Sequence, residues 1–471
     1  MIVMQRKIDQ WFEEHRDEMV QDIMRLCRIR SVREESREGM PYGEGPARVL
    51  AEALSMAEGM GFATRNYENY VGTVDYNDKE TELLILAHLD VVPEGTGWTV
   101  TEPYAPKVVD GRLYARGSAD DKGPAVAALY ALRVLRELDV SLSRNVRLLL
   151  GTDEERGSSD LKYYFEREKA PRHSFSPDAS YPVCNVEKGS FGGSFTAEWA
   201  ESAALPRIVY AKGGQTSNVV PRDAEAVVEG LSVPEVDAVA RAYADKTKAR
   251  FTVTTSEDGK GVKITVLGEG AHASTPEKGN NAALALVEML CGLPLAPCEG
   301  VERLRAVAEI FPHGDGAGQA AGVAQSDEIS GALTLNIGIF EYTLTGLRGV
   351  IDSRVPVCAN EDNMSRVLER RLADRGLTLS TTKMRAPHHT PADSPLVRTL
   401  LHVYEEVTGQ KGYCYSMGGG TYVHNIEGGV AFGCAKEEVD NHMHGPDEFA
   451  VVEDLVESAR MFARVIVGMC G

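Results

Sequence analysis

Residues 83–95 read LLILAHLDVVPEG, an apolar run that ends in a histidine and an aspartate two residues apart. Side chains alternate along a strand, so His88 and Asp90 share a face. Three more acid-rich groups follow along the chain: SADDKG (118–123), TDEE (152–155) and SPDASYP (176–182). A fifth cluster, NHMHGPDE (441–448), precedes the last helical pattern. Each has an ordinary reading alone. HxD bonds locally, DDKG caps a helix, TDEE is a solvated strand end, and His442 and His444 are surface residues. Five such clusters where strands end and loops begin are hard to attribute to chance, because open α/β sheets bind ligands at the carboxyl ends of their strands.

Together the residue types suit a pair of divalent cations. Zinc takes imidazole nitrogen and carboxylate oxygen at about 2.0–2.2 Å. Two ions about 3.5–4 Å apart need a carboxylate between them, separate ligands for each, and an acid/base outside the coordination sphere. Asp120 can bridge, His88 and Asp178 can complete one position, and Glu155 and His444 the other. Glu154 is then left as general base for an activated water. Asp90 is expected to accept the second ring N–H of His88 and fix its tautomer.

The elements that must position these residues alternate between strand and helix. Residues 1–30 read as an opening helix with Ile8, Trp11, Met19, Ile23 and Leu26 on its apolar face, and 44–60 as a second. TRNYENYVGTVDY, TELLILAHLD, GRLYARGS and RNVRLLLGTDEE read as strands, and a long helix begins near Gly123, with Pro124 in its first turn. This pattern predicts an α/β fold: a mixed, mostly parallel sheet flanked by helices. From about 188 to 387 the chain turns β-rich, with two helical runs, SVPEVDAVARAYADKTK and NMSRVLERRLADRG. It reads as an inserted α+β domain. The catalytic domain is expected to be discontinuous, 1–187 and 388–471, with 188–387 inserted.

Bulk properties narrow the class. The 471 residues carry 50 Lys plus Arg against 70 Asp plus Glu, a formal charge of −20. That balance argues against nucleic acid as partner, whose affinity comes from neutralising phosphates. No apolar stretch approaches a membrane span of about 20 residues, and the first residues lack a signal peptide's apolar core and cleavage site. Eight scattered cysteines, without a CxxC pair, suggest reduced thiols in a cytoplasm. No GxSxG elbow is present, which argues against a serine nucleophile.

The order HxD, DxKG, EE, SPD and a late His resembles the co-catalytic zinc hydrolases, the aminoacylase and carboxypeptidase G family. The match looks closest to its PepV-type dipeptidases, through ARGSADDKGP, GTDEERGSSD, SPDASYPV and GGGTY. The resemblance implies metal ligands at His88, Asp120, Glu155, Asp178 and His444, a general base at Glu154, and a histidine-orienting acid at Asp90. His444 is preferred to His442 because His444-Gly-Pro-Asp-Glu448 fits the family's His–gap–Glu spacing.

The resemblance also implies a lid domain. GEGAHASTPEKGNNA places His272 where the family stabilises an oxyanion, and TSNVVP offers Asn218 as a second donor. IDSRVP offers Arg354, whose fork suits a substrate carboxylate; the family usually has an aromatic residue where Val355 stands. In SMGGGTY, Ser416, Gly418, Gly419 and Gly420 can present backbone N–H groups to the same carboxylate. The implied activity is hydrolysis of dipeptides with a free C-terminal carboxylate, using two divalent ions, zinc first and manganese or cobalt as alternatives. An N-acyl amino acid deacylase on the same metal core, and a metal-binding homologue without catalysis, are the other readings. A lid of about 200 residues resembles the monomeric members, so a monomer with His272 acting in cis is expected.

Overall fold

The computed structural model describes residues 2–381 and 383–471. The chain divides into two compact units, 1–186 with 389–471, and 187–388.

The first unit is α/β. From its hairpin edge the main sheet runs Ala63–Tyr67, Val71–Asp75, Asn145–Gly151, Thr81–His88, His173–Ser176, Gly429–Ala431 and Val183–Glu187. Parallel ladders join Asn145–Gly151, Thr81–His88, His173–Ser176 and Gly429–Ala431 in turn. Antiparallel ladders flank them on both sides. The sheet is therefore less parallel than expected. TRNYENYVGTVDY, read as one strand, is a hairpin, because Glu68 and Asn69 take positive φ and reverse the chain. The parallel centre carries the site. His88 lies opposite Gly151 and Ile85 opposite Phe175, so His88, the turn after Gly151 and the loop after Ser176 reach the same end of the sheet.

Burial on both faces explains the unbroken apolar run in Thr81–His88. The helix Lys122–Glu137 packs on this strand and is itself covered by Ile2–Cys27 and Val452–Cys470. Ile8, Trp11, Met19, Ile23 and Leu26 all enter this core. At the start of that helix Gly123 is required by space: a Cβ there would stand 2.1 Å from the Ser118 carbonyl oxygen. Buried Lys122 donates to the carbonyls of Leu26 and Ile29, at 3.3 and 2.8 Å, where the first helix ends. GRLYARGS does not join the main sheet. Arg112–Tyr114 lies in a small antiparallel sheet between Lys107–Val109 and Phe449–Val451.

The second unit has an eight-stranded sheet in the order Arg250–Thr255, Gly261–Leu267, Asp223–Glu229, Arg207–Gly213, Thr334–Tyr342, Gly346–Val355, Gly189–Glu198 and Thr378–Thr381. Its ladders are antiparallel. Besides Val233–Thr247 and Ser365–Ala373, helices span Ala282–Cys291 and Glu299–Ile310. The sequence reading missed both. Residues 282–290 are all buried, so the first of them has no polar face to betray its period. Among the described residues, no helix is long and apolar enough to cross a membrane.

Candidate metal centre

Two overlapping triads form at the carboxyl end of the parallel strands: His88, Asp120 and Asp178, and Asp120, Glu155 and His444. One potential ligand atom from each member of a triad lies within 4.8 Å of the others. Asp120 divides its oxygens between them. Oδ1 stands 2.9 Å from His88 Nε2, and Oδ2 stands 2.9 Å from His444 Nε2. Asp178 Oδ2 is 3.6 Å from His88 Nε2, and Glu155 Oε2 is 3.4 Å from His444 Nε2.

Most of these side chains are held by identifiable local contacts. His88 closes its strand; its N–H donates to Asp121 Oδ2 at 3.0 Å. The His88 ring sits with Nδ1 3.1 Å from the Asp90 carbonyl oxygen, which makes Nδ1 the protonated nitrogen and turns Nε2 toward Asp120 and Asp178. The Asp90 carboxylate stands beside the His88 ring, as expected, and has a second task. Oδ1 is 3.5 Å from Nδ1, and the two carboxylate oxygens also accept from the N–H groups of Glu154 and Glu155, each at 3.1 Å. The strand ending was legible; that its second acid caps the turn carrying two others was not, because nothing local in the sequence pairs them.

TDEE is not a strand end. Asn145–Gly151 stops before it, and Glu154–Arg156 forms a 3₁₀ turn. That turn sends Glu155 into the second triad and leaves Glu154 outside both.

His444, not His442, meets the carboxylates. The His442 ring instead edges against Phe449, with centroids 5.9 Å apart. His444 has φ of +64°, a strained setting for a non-glycine residue. Its segment is fastened by Glu448, which the sequence reading noted only for spacing. Glu448 Oε1 accepts from Gly117, Ala119 and Asp120 N–H at 3.0, 3.0 and 3.3 Å, while Oε2 pairs with Arg116. Arg116 also donates to the Gly445 carbonyl at 3.1 Å. This fully buried pair therefore ties the Asp120 turn to the His444 loop. Arg116 and Glu448 were visible inside ARGSADDKGP and HGPDE, but an arginine–glutamate pair 332 residues apart leaves no periodic signal.

The electrostatics of the pocket are set by its crowded carboxylates. Burial would push Asp120 up, yet its contacts with His444 and His88 hold it below the usual carboxylate range. Burial, with the neighbouring Asp120 charge, raises Asp178 to about 7 and also raises Glu155. His444 is pushed up to about 11 by Asp120 and Glu155. His88 is buried, which disfavours its charge, yet Asp120, Asp178 and Asp90 raise it well above the usual value. Crowded carboxylates thus favour positive charge in this pocket. His88 Nε2 and Asp120 Oδ1 are shielded from solvent and close together, yet neither completes a hydrogen bond of sound geometry. Two ligand atoms so placed suit a shared cation. A nitrogen-and-carboxylate set with one shared acid fits a pair of divalent ions. Glu154 is raised well above its ordinary range by burial, with the charges of Asp178, Glu155 and Asp90 adding to it against that of His88.

The remaining sequence-predicted residues fall into two places. Ser416 lies in the strand Cys414–Met417 of the first unit, and Gly418, Gly419 and Gly420 lead from it to Tyr422, whose ring stands edge-on to His88. In the second unit, Asn218 and His272 are brought together. Val219 bridges His272 antiparallel, and Ala273 N–H donates to the Asn218 carbonyl at 2.9 Å. His272 Nδ1 accepts from Ser274 N–H at 3.2 Å, so the neutral ring carries its hydrogen on Nε2. Arg354 lies in the strand Gly346–Val355 and grips Asp352 with two hydrogen bonds, Nε to Oδ1 at 2.9 Å and Nη2 to Oδ2 at 3.2 Å.

Comparison with known proteins identifies the family. The model of peptidase family M20/M25/M40 matches residues 84–467. The chain is 35% identical over 459 residues to "Putative dipeptidase YtjP" of Bacillus subtilis (strain 168), covering 96% of this chain and 97% of that one. It is 34% identical over 465 residues to the Beta-Ala-Xaa dipeptidase of Lactobacillus delbrueckii subsp. lactis, covering 96% of each. Among solved structures, human carnosine dipeptidase 1 superposes with a TM-score of 0.62 at 16% identity, over 99% of this chain and 98% of the other. At that identity the likeness speaks for the fold. The chain belongs to peptidase family M20/M25/M40 and is a hydrolase of that family.

Proposed function

We propose that the protein hydrolyses dipeptides with a free C-terminal carboxylate, using two divalent cations held by His88, Asp120 and Asp178, and by Asp120, Glu155 and His444. One observation carries the reading: two triads share a single carboxylate, and a partly buried glutamate beside them belongs to neither. The cations would polarise the scissile carbonyl and make water acidic near neutral pH. Zinc suits the donor set; manganese and cobalt suit it also.

Glu154 takes the proton from the attacking water and hands it to the leaving amine nitrogen. Asp90 holds Glu154 and Glu155 by their backbone N–H groups. His272 donates from Nε2 to the oxygen that becomes negative, with Asn218 as a second donor. The resemblance supports Arg354, and the N–H groups of Ser416, Gly418, Gly419 and Gly420, as donors to the substrate carboxylate. The second unit, 187–388, is read as the lid. The similarity to a Beta-Ala-Xaa dipeptidase supports a substrate with a small amino-terminal residue.

The test is a panel of dipeptides and N-acyl amino acids with zinc, manganese or cobalt supplied, with and without chelator. Dipeptide turnover abolished by chelator and restored by metal is expected. Turnover of acyl amino acids alone would make the protein a deacylase, and no turnover of either class would refute the enzymatic reading.

A further inference from the structure

The turn Thr152–Glu155 presents the proposed base and a ligand, and its four consecutive N–H groups end on two buried carboxylates. Asp90 takes those of Glu154 and Glu155. Asp160 Oδ2 takes those of Thr152 and Asp153, at 2.7 and 3.0 Å. A single 3₁₀ turn has no internal acceptors for its leading N–H groups, so these acids set its position.

Asp160 is fully buried and has a further partner. The Tyr422 hydroxyl donates to the same Oδ2, while Oδ1 accepts from Leu161 N–H at 2.7 Å. Gly151 makes this approach feasible. A Cβ there would stand 1.8 Å from Tyr422 Oη and 2.6 Å from Asp160 Oδ2. Tyr422 directly follows the run 418–421, and its ring meets that of His88 edge-on, with centroids 6.1 Å apart and planes at 88°. One side chain thus touches the clamp of the acid turn with its hydroxyl and the first metal ligand with its ring.

We propose that Asp160 and Tyr422 are positioning residues: they fix Glu154 over the reacting water and couple its position to the glycine run that reads the substrate carboxylate. This rests on the reading of Glu154 as base. Displacing a reacting group by about 1 Å costs on the order of 100-fold in rate. Neither residue is itself a proposed metal ligand or substrate donor, so the loss is expected to fall mainly on kcat.

The test measures kcat, KM, the pH profile of kcat, bound metal and thermal melting for the parent, Tyr422→Phe, Asp160→Asn and Gly151→Ala. Tyr422→Phe keeps the ring against His88 and removes only the hydroxyl. Its kcat is expected to fall about 10- to 100-fold, with KM changed less than about threefold. Metal content and melting temperature stay at parental values, and the acid limb of the pH profile shifts, since that limb reports the base. Asp160→Asn sets an amide donor against Leu161 N–H or the other N–H donors, and its loss is expected to be at least as large. Unchanged kcat and pH profile in both variants overturns the proposal. So does a loss that tracks only with lost metal or a lowered melting temperature in all three, which would make the residues structural. A parent enzyme inactive on every dipeptide refutes the functional reading instead, and is recognised before any variant is compared.

Discussion

Glu448 offers the most demanding test of how the centre is held. Its carboxylate is fully buried, accepts three backbone N–H groups and pairs with the buried guanidinium of Arg116. Glu448→Ala leaves that cation without a counter-charge. Removing one partner of a buried ion pair costs about 3–5 kcal/mol, because the survivor remains desolvated. Total stabilities are commonly about 5–15 kcal/mol, so the variant should be folded but visibly weakened. Replacing both members by apolar residues of similar volume, Arg116→Met with Glu448→Leu, should recover most of the stability, since no buried charge is then stranded. Metal binding should not recover with it. Gly117, Ala119 and Asp120 still lack their acceptor, and Asp120 serves both triads. Urea denaturation of the metal-free proteins measures the first effect, and competition against a chromophoric chelator the second. Single and double variants that match the parent within about 1 kcal/mol and bind metal equally would refute the argument that this pair fastens the Asp120 turn.

Other outcomes follow from the same geometry. Glu154→Ala should keep its metal, measured by elemental analysis, and lose about 10²- to 10⁴-fold in kcat; near-parental turnover would remove Glu154 from the mechanism. Asp120→Ala should lose metal from both positions together, because both triads draw on it; retention of one ion at parental affinity would contradict a shared ligand. Mixing inactive His272→Ala with inactive Glu154→Ala should restore no activity if one chain supplies both groups, and recovered turnover would show exchange between subunits. Asp327 is partly buried, which raises its pKa, but N–H and hydroxyl donors from Ser330 and the N–H of Cys358 outweigh that and bring it to about 2. A lowered carboxylate pKa stabilises above the unfolded value near 3.9 and loses that contribution as pH falls toward 2. Asp327→Asn should therefore lower the melting temperature at pH 7, by roughly 2–4 °C per kcal/mol lost, and differ less from the parent as pH falls below about 4; a gap independent of pH would dismiss the charge as its cause.

Much of this was legible because chemistry and periodicity coincided. His88, Asp120, Asp178 and the TDEE acids stand where apolar strands stop or a helix begins, so strand pattern and ligand type marked the same places. The first and last helices declared themselves by amphipathic spacing. What escaped depended on partners distant in sequence. Asp90 was expected to serve the ring two residues before it, but its carboxylate also accepts from a turn 64 and 65 residues later. Ala282–Cys291 was invisible because burial on all sides erases the polar stripe by which helices are recognised. The hairpin at Glu68 and Asn69 escaped because neither residue is a glycine, the usual marker of positive φ.

The fastening of Asp120 by Glu448 has a consequence for synthesis. The two residues are 328 positions apart, and the strand Phe449–Val451 that pairs with Arg112–Tyr114 is made later still. At translation speeds of about 5–20 residues per second, the Asp120 turn waits tens of seconds for its clasp. Residues 187–388, a contiguous stretch with its own sheet, emerge complete during that interval. The nascent chain therefore carries Arg116 unpaired, and the second triad cannot form until His444 has left the ribosome. If both triads are needed for turnover, as proposed, a peptidase assembled in this order stays inert through nearly all of its own translation.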